Sequence, residues 1–560
     1  VIKTRPGYAG GEFRVSIDDA ALTQVMTANA DNTYVRHEVR TPYLAAGEHT
    51  LALEDLSGAF ARCDVVVVAG LDFAPGNDPS ETEALRAKYV PQPPVAERGG
   101  FDVVVVGAGP AGVCAAVAAA RNGAKTALVH DRPMAGGNCS DEIGIGTDGA
   151  ANSHLYLRES GLVEEWNLLN PHPERRGLSD AAALLLAGET NLTVFANERV
   201  LSATQKDGVI SDVTARNTLT GARTRYAGKV FVDATGDGWV GFYAGADYRF
   251  GREAQSEFNE PKSHTPPKAD ACTMSGCLCF YKHVMRDHAV AYETPAWADI
   301  LPQGFTRDPG SLKSAWWIEH PNDLDDLTYG EEARDELIRY NFAYWGWLKN
   351  QSPMREQAKN AELVSVPVVN GRRESRRLVG DVILTGNDLI EGRQFADRVA
   401  FGGWGLDVHD VLGMQRVKGD GWSGRPLTTA AYVIPFRALY SRNVPNLMMA
   451  GRCFSCTHVG LGGPRVGHAV RLEHQVVPGG HFELAEHRHH RRRASARGAL
   501  RQPQDLLRRL VGVHRLHLRV PGRARRLRLP GEAGGGGQRG VQSDSGGAER
   551  HRRVLPPVRQ

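Results

Sequence analysis

Residues 101–131 read FDVVVVGAGPAGVCAAVAAARNGAKTALVHD, and this stretch decides the fold. An apolar run, Val103 to Val106, enters Gly107-x-Gly109-x-x-Gly112, a helix of small residues follows, and a second apolar run, Thr126 to Val129, closes a βαβ unit. Gly107 permits a tight turn, Gly109 lets the backbone approach a pyrophosphate, and Gly112 lets the helix pack closely on the sheet. Pro110 and Ala111 stand at the start of that helix, whose free N–H groups and partial positive charge suit phosphates. Glycine-rich turns are common, but strand, glycines, alanine-rich helix and second strand in this order point to a dinucleotide. Such units usually end the second strand in an acid that binds the ribose hydroxyls. Here that place falls on His130, followed by Asp131 and Arg132, so the ribose ligand is either Asp131 or His130 as a neutral imidazole.

A chain of 560 residues is too long for one core and implies two to four domains. No apolar run reaches the roughly 18–20 residues of a membrane span. The chain begins at Val1, which leaves cytoplasmic and exported locations both open. The net charge of +3 hides two unlike parts. Residues 471–560 hold 20 Arg, no Lys and 7 acids, and the remainder carries a net negative charge. A basic arm of this kind suits nucleic acid or an anionic membrane. Arginine without lysine, beside Gly, Ala, Pro and His, reads instead as a GC-rich gene translated out of frame, and the tail is expected to be disordered. No nucleic-acid partner is expected.

Residues 1–88 show period-two alternation at Phe13-x-Val15-x-Ile17, Tyr34-x-Arg36-x-Glu38 and Leu51-x-Leu53, which predicts a small β-sandwich module. A proline-rich linker at 89–100 then leads into the nucleotide domain, 101–254. Thr193–Ala203, Gly208–Arg216 and Tyr226–Ala234 read as strands, the last ending in Thr235-Gly236-Asp237-Gly238. Residues 255–430, with a helix at Gly330–Asn350, form an inserted α+β substrate domain. From 431 to 470 the nucleotide domain returns, with a strand at Asn446–Ala450 entering a turn at Gly451-Arg452. The fold class is α/β, with a Rossmann-like nucleotide domain.

These three segments resemble the two-dinucleotide-binding-domain flavoproteins. Residues 132–142 (RPMAGGNCSDE), Trp316-Trp317-Ile318-Glu319, 371–388 (GRRESRRLVGDVILTGND) and 451–466 (GRCFSCTHVGLGGPRV) resemble the bacterial FAD-dependent oxidoreductases of the xanthan-lyase-associated type. Leu44–Leu51 is similar to the accessory β-domain of some members. The resemblance spans residues 1 to about 467 and implies FAD as cofactor. It also implies contacts to FAD from Gly136, Gly137, Asn138, Val200, Thr235, Gly236, Asp237, Gly451 and Arg452.

The family's RESRR phrase falls on Arg373 to Arg377. Arginine forks hold carboxylates bidentately and keep their proton, so Arg373 and Arg376 are candidates to bind an anionic substrate or steady a reduced flavin; a solvated charged face is the alternative. His458 and Arg465 follow the late glycine turn, which the resemblance places against the flavin ring, where a proton carrier and a cation assist hydride transfer. Trp404, Asp407 and His409 are either a group lining the substrate cavity or a satisfied buried pair. Cys453-x-x-Cys456 has redox spacing but follows the wrong glycine turn for a disulfide reductase. Cys272, Cys277 and Cys279 lack a convincing fourth ligand, and no metal is expected. Cys139 is read as packing.

Related flavoproteins open a long helix near residue 463, but here Pro464-Arg465-Val466 leads into the arginine-rich tail. Loss of that helix predicts weakened FAD affinity and activity. The expected function is hydride transfer from a small polar, plausibly sugar-related, substrate to FAD. The alternatives are a flavin monooxygenase or reductase on the same scaffold, or a carbohydrate-binding protein with a defunct flavin domain.

Overall fold

The computed structural model describes residues 94–465, apart from 148–159, 172–176, 280, 308–310, 313–316, 323–324 and 418–426. It also describes 2–3, 12–22, 25–27, 38–56, 62–63, 66–68, 79–89 and 514–520. The chain divides into two compact units, 1–91 with 484–557 and 92–483 with 558–560.

In the first unit, Glu12–Ile17 pairs antiparallel with Gly47–Asp55, with short strands at Ala20–Ala21 and Met26–Thr27 completing one side. Its alternation buries Phe13, Val15, Ile17 and Leu51 on one face. His514–Val520, inside the segment expected to be a structureless tail, runs antiparallel to Gly47–Asp55. The rest of the tail reading, residues 34–37 of the strand expected at Tyr34–Glu38, and the segment after 465 where a helix was expected to be lost lie outside the described residues.

The second unit is built on a seven-stranded sheet: β1 (Ala96–Val106), β2 (Thr126–Val129), β3 (Leu192–Phe195), β4 (Glu198–Lys206), β5 (Val209–Asn217), β6 (Arg223–Asp233) and β7 (Leu447–Met449). Its parallel part runs β7-β6-β1-β2-β3, and β4-β5-β6 form an antiparallel meander. Two expectations change. Residues 96–100, read as linker, already belong to β1 and pair with β6. The single strand expected over 193–203 is two, because Asn197 takes φ 61 and turns the chain out of the parallel sheet into the meander.

The valine run of β1 is continuous because both faces are covered. Val104 and Val106 enter one buried cluster, and Val103 and Val105 enter another on the opposite side. Burying each such side chain contributes about 1.5–3 kcal/mol. Helix α1 (Pro110–Arg121) has its proline at the first turn, where the lost N–H costs nothing, and Gly112 through Ala120 are all buried. A helix apolar on every side must be enclosed. Here the sheet lies on one flank, and Leu162–Leu168 and Ser179–Ala187 lie on the other. Helix α2 (Gly330–Asn350) has the bounds read from the sequence and builds a separate aromatic core. In it Tyr344 meets Trp317 edge-on, with ring centres 4.9 Å apart.

From β1 the chain moves to β2 and β3 on one side, then returns through β6 to the other. This reversal at the carboxyl end of β1 is where open α/β sheets bind ligands.

Candidate active site

A cavity of about 810 Å³ opens at that reversal. Val106 to Ala111, Val129 to Arg132, Ala234 to Asp237 and Ala450 to Arg452 line it, each segment leaving the carboxyl end of a parallel strand. Backbone bonds hold these ends in line: Gly107 N–H donates to Val129 O at 2.8 Å, Ala234 N–H to Val106 O at 2.8 Å, and Ala450 N–H to Asp233 O at 2.9 Å.

The three glycines do different work. Gly107 has φ +101, which disfavours any side chain. A Cβ on Gly112 would collide with the carbonyl of Gly107 and stand 2.9 Å from Ala234 Cβ, so this glycine permits the helix–strand contact but does not line the cavity. A Cβ on Gly109 would meet nothing within 4 Å, and no side chain caps the helix it opens. The first amides of α1 therefore face open cavity. The 136–139 loop closes one side: Gly136 N–H donates to Ala108 O at 2.8 Å, and Asn138 Nδ2 donates to Arg372 O at 3.0 Å. Gly137 and Asn138 line the cavity, whereas Gly136 sits behind it and Val200 completes the far wall.

Asp237 ties the halves together. Its carboxylate accepts from Arg452 at 2.6 Å, Arg372 at 2.7 Å and Ser375 Oγ at 2.8 Å. Burial pushes this carboxyl up, but Arg452 and Arg372 outweigh it and hold it below the ordinary carboxylate range. Asp233, one strand end earlier, has no such cation. Burial raises it, although Thr235 and Gly241 donate to it. His130 is buried and pushed down by desolvation, which keeps the imidazole neutral at neutral pH.

At the other end stand Arg373, Trp404, Asp407, His409 and Arg465. His409 lies between two carboxylates, with Nδ1 2.7 Å from Glu319 Oε1 and Nε2 3.3 Å from Asp407 Oδ2. Arg373 reaches Glu319 at 3.2 Å, and Arg465 donates to the Asp407 carbonyl at 2.6 Å. Burial opposes ionisation of Glu319, yet Arg373 and His409 bring its carboxyl down to about 2. The two sequence readings of the Asp407–His409 pair are thus both met, since the pair is satisfied and also lines the cavity.

Two expected catalytic residues stand elsewhere. Arg376 lies over the rings of Phe242, at 4.0 Å, and Trp239, at 4.5 Å, and donates to Asp237 O. His458 is buried in a charged network, with Nδ1 2.7 Å from Glu374 and its backbone N–H on Glu253 at 2.8 Å. Neither lines the cavity. In the 371–377 segment it is Arg372 and Arg373 that line the cavity, while Arg377 turns to Glu374 and Glu253. Cys453 and Cys456 are likewise not a pair, because each thiol donates to a backbone carbonyl, of Asp233 and Phe454. Sequence reasoning missed Glu319 as the partner of His409. Its signal was a lone carboxylate after the apolar Trp316–Ile318. Among the described residues, no group of three or more His, Cys, Asp or Glu side chains is arranged to hold a metal. None of the described helices is long and apolar enough to cross a membrane.

A parallel sheet with a glycine cradle at its switch point defines a dinucleotide-binding protein, and the charged far end gives that protein a place for redox chemistry. The FAD dependent oxidoreductase family model matches residues 102–471, and the chain belongs to that family. Over 40 residues it is 58% identical to the soluble pyridine nucleotide transhydrogenase of Ectopseudomonas mendocina (strain ymp), covering 7% of this chain and 9% of that protein. The corresponding enzyme of Hahella chejuensis (strain KCTC 2396) is 52% identical over 40 residues, with the same coverage. The chain thus spans about a tenth of the length of these curated relatives. Among solved structures, it is similar to a flavin-dependent brominase, at 13% identity over 51% of this chain and 72% of that chain, with a TM-score of 0.27. It is also similar to a Bacillus halodurans glycerol-3-phosphate dehydrogenase complexed with FAD, at 20% identity over 28% and 36%, with a TM-score of 0.17.

The residues present fit the cofactor. The open cradle at Gly109 leaves amides for a pyrophosphate, and the buried Nε atoms of Arg452 and Arg465, both on cavity-lining side chains, have no acceptor among the described residues. An orphaned guanidinium N–H is costly unless an acceptor arrives.

Proposed function

We propose that this enzyme oxidises a small polar, hydroxyl-bearing substrate of the sugar-related class. FAD, when bound, supplies the hydride acceptor. The amides after Gly109 would hold its pyrophosphate, with Gly107 shaping the turn. His130, Asp131 and Arg132 would meet its ribose, and Gly451 and Arg452 would hold its far half together with Thr235, Gly236 and Asp237.

At the other end, Arg373 and Arg465 orient the substrate, and His409 takes the proton of its hydroxyl. Glu319 and Asp407 position the ring between them, at 2.7 Å and 3.3 Å. We assign Arg376 and His458 to supporting roles, holding Asp237 and Glu374. The observation that carries this reading is His409, bracketed by two carboxylates in a cavity wall shared with the glycine cradle. The polar lining and the face of Trp404 suit a polyhydroxylated molecule, and the accessory β-module keeps the xanthan-lyase-associated type within this reading.

The test is anaerobic titration of the FAD-loaded enzyme with a panel of sugars, sugar acids and polyols. Bleaching of flavin absorbance by one of them supports the proposal. Bleaching by NADPH alone favours the reductase or monooxygenase reading, and protein that takes up no FAD favours the defunct domain.

A further inference from the structure

Behind the cavity wall formed by Asn370, Arg372 and Arg373, the sulfurs of Cys277 and Cys279 lie 2.9 Å apart. Both side chains are buried. Residues two apart on an extended backbone fall on one face, which is why a C-x-C pair meets here. The backbone of Cys277 is held by Gly371 in both directions, its N–H donating to Gly371 O at 3.2 Å and its carbonyl accepting from Gly371 N–H at 2.9 Å, and it also bridges to Glu319. The pair is therefore fixed two residues from Arg373.

Its two thiols are unlike. The Cys279 S–H and the Arg373 guanidinium bring the Cys277 thiol down against the effect of burial, while its neighbour and burial push Cys279 up. This is the asymmetry of an attacking thiolate beside a resolving thiol. Neither sulfur has a role in the proposed reaction.

We propose that Cys277 and Cys279 form a reversible thiol–disulfide modification site, oxidised by a peroxide, with Cys277 attacking and Cys279 resolving. The Cys277 sulfur attacks one peroxide oxygen, the O–O bond breaks, and the departing hydroxide takes up a proton and leaves as water. Cys277 is then a sulfenic acid. The Cys279 sulfur attacks it, the S–S bond forms as the S–O bond breaks, and a second water leaves with the Cys279 proton. The two thiols give up two electrons, and the peroxide is reduced to two waters. Oxidation removes the negative sulfur beside Arg373, and so couples the redox state of the pair to a residue that lines the cavity.

The test uses the whole, FAD-loaded chain carrying Cys272→Ser, which removes the additional thiol nearest in sequence. It is treated with hydrogen peroxide at a one-to-one ratio, unfolded, alkylated and mapped by mass spectrometry. The expected result is a 277–279 peptide that has lost two hydrogens, takes no alkyl label, and recovers both thiols with dithiothreitol. Adding Cys279→Ser sends Cys277 on to the sulfinic acid, and adding Cys277→Ser leaves Cys279 open to alkylation. The proposal is overturned if both sulfurs are alkylated after peroxide, if Cys279 oxidises as readily without Cys277, or if native mass spectrometry finds the thiols holding zinc. Should the Cys277 variant fail to fold, the labelling pattern with both thiols present decides alone. This outcome is independent of which substrate the enzyme oxidises.

Discussion

Glu319 and His409, ninety positions apart in the chain, meet at 2.7 Å in the wall of the cavity. Arg373 joins the same carboxylate at 3.2 Å, so one buried acid orients both an imidazole and a guanidinium. Glu319 thereby holds the His409 ring in one orientation in the cavity wall.

His409→Asn keeps a polar side chain between Glu319 and Asp407 but removes the base. Turnover with the substrate found by anaerobic bleaching is expected to fall by about 10²–10⁴. The bound-flavin spectrum is expected to stay unchanged. Stopped-flow bleaching measures the first and absorbance the second; a rate unaffected by the substitution removes His409 from the mechanism.

Gly109 and Gly112 should separate binding from folding. Gly109 has φ −67, and a side chain there enters open cavity. Gly109→Val is therefore expected to keep the melting temperature of the apo-protein while weakening FAD by at least about 100-fold, or 2.7 kcal/mol. In Gly112→Val the added atoms strike the Gly107 carbonyl, and overpacking costs about 1–3 kcal/mol or more. Thermal melts of the apo-proteins beside FAD titrations check both.

Asp237 holds Arg372 and Arg452, so Asp237→Ala leaves two guanidinium groups without their acceptor. Breaking a buried pair of this kind costs about 3–5 kcal/mol. Its folded pKa is depressed, so its contribution is present above the unfolded carboxylate value and is lost as pH falls through the folded one. Acid unfolding of the wild type should accordingly steepen below the ordinary carboxylate range, and the variant should lack that component. Parallel acid titrations followed by circular dichroism measure the difference.

His320 and Asp326 form a buried pair at 3.1 Å outside the cavity lining. Burial lowers the imidazole, but Asp326 overrides it and raises His320 to about 9. A raised folded pKa gives stability that is full below the unfolded value of 6.5 and lost as pH climbs through 9. The wild type should lose roughly 3 kcal/mol between those limits, while His320→Gln should be destabilised throughout and show a flatter dependence. Denaturant melts across that range supply the slopes; equal slopes in the two proteins contradict the assignment.

The nucleotide half of the site was legible because its chemistry is local. Strand, glycine turn and helix follow one another within residues 103–121, and each glycine answers a backbone demand made by its near neighbours. Helix α2 was equally plain, since its 21 residues carry their own aromatic face. The turn at Asn197 was not, because Thr193–Ala203 keeps a strand-like composition through a change of sheet. Nor did the RESRR phrase reveal which arginine faces the cavity, since charge density says nothing about direction.

The sequence by itself determined the dinucleotide cradle, the cofactor class through its motifs, and the strands that carry them. Tertiary structure alone decided the chemistry at the far end of the cavity. It turned Arg373 inward and Arg376 onto aromatic rings, enclosed His458 among buried charges, and brought His409 to Glu319. The reason is physical: a phosphate cradle is made by consecutive backbone groups, whereas a proton-transfer site is made by side chains whose meeting depends on the whole fold.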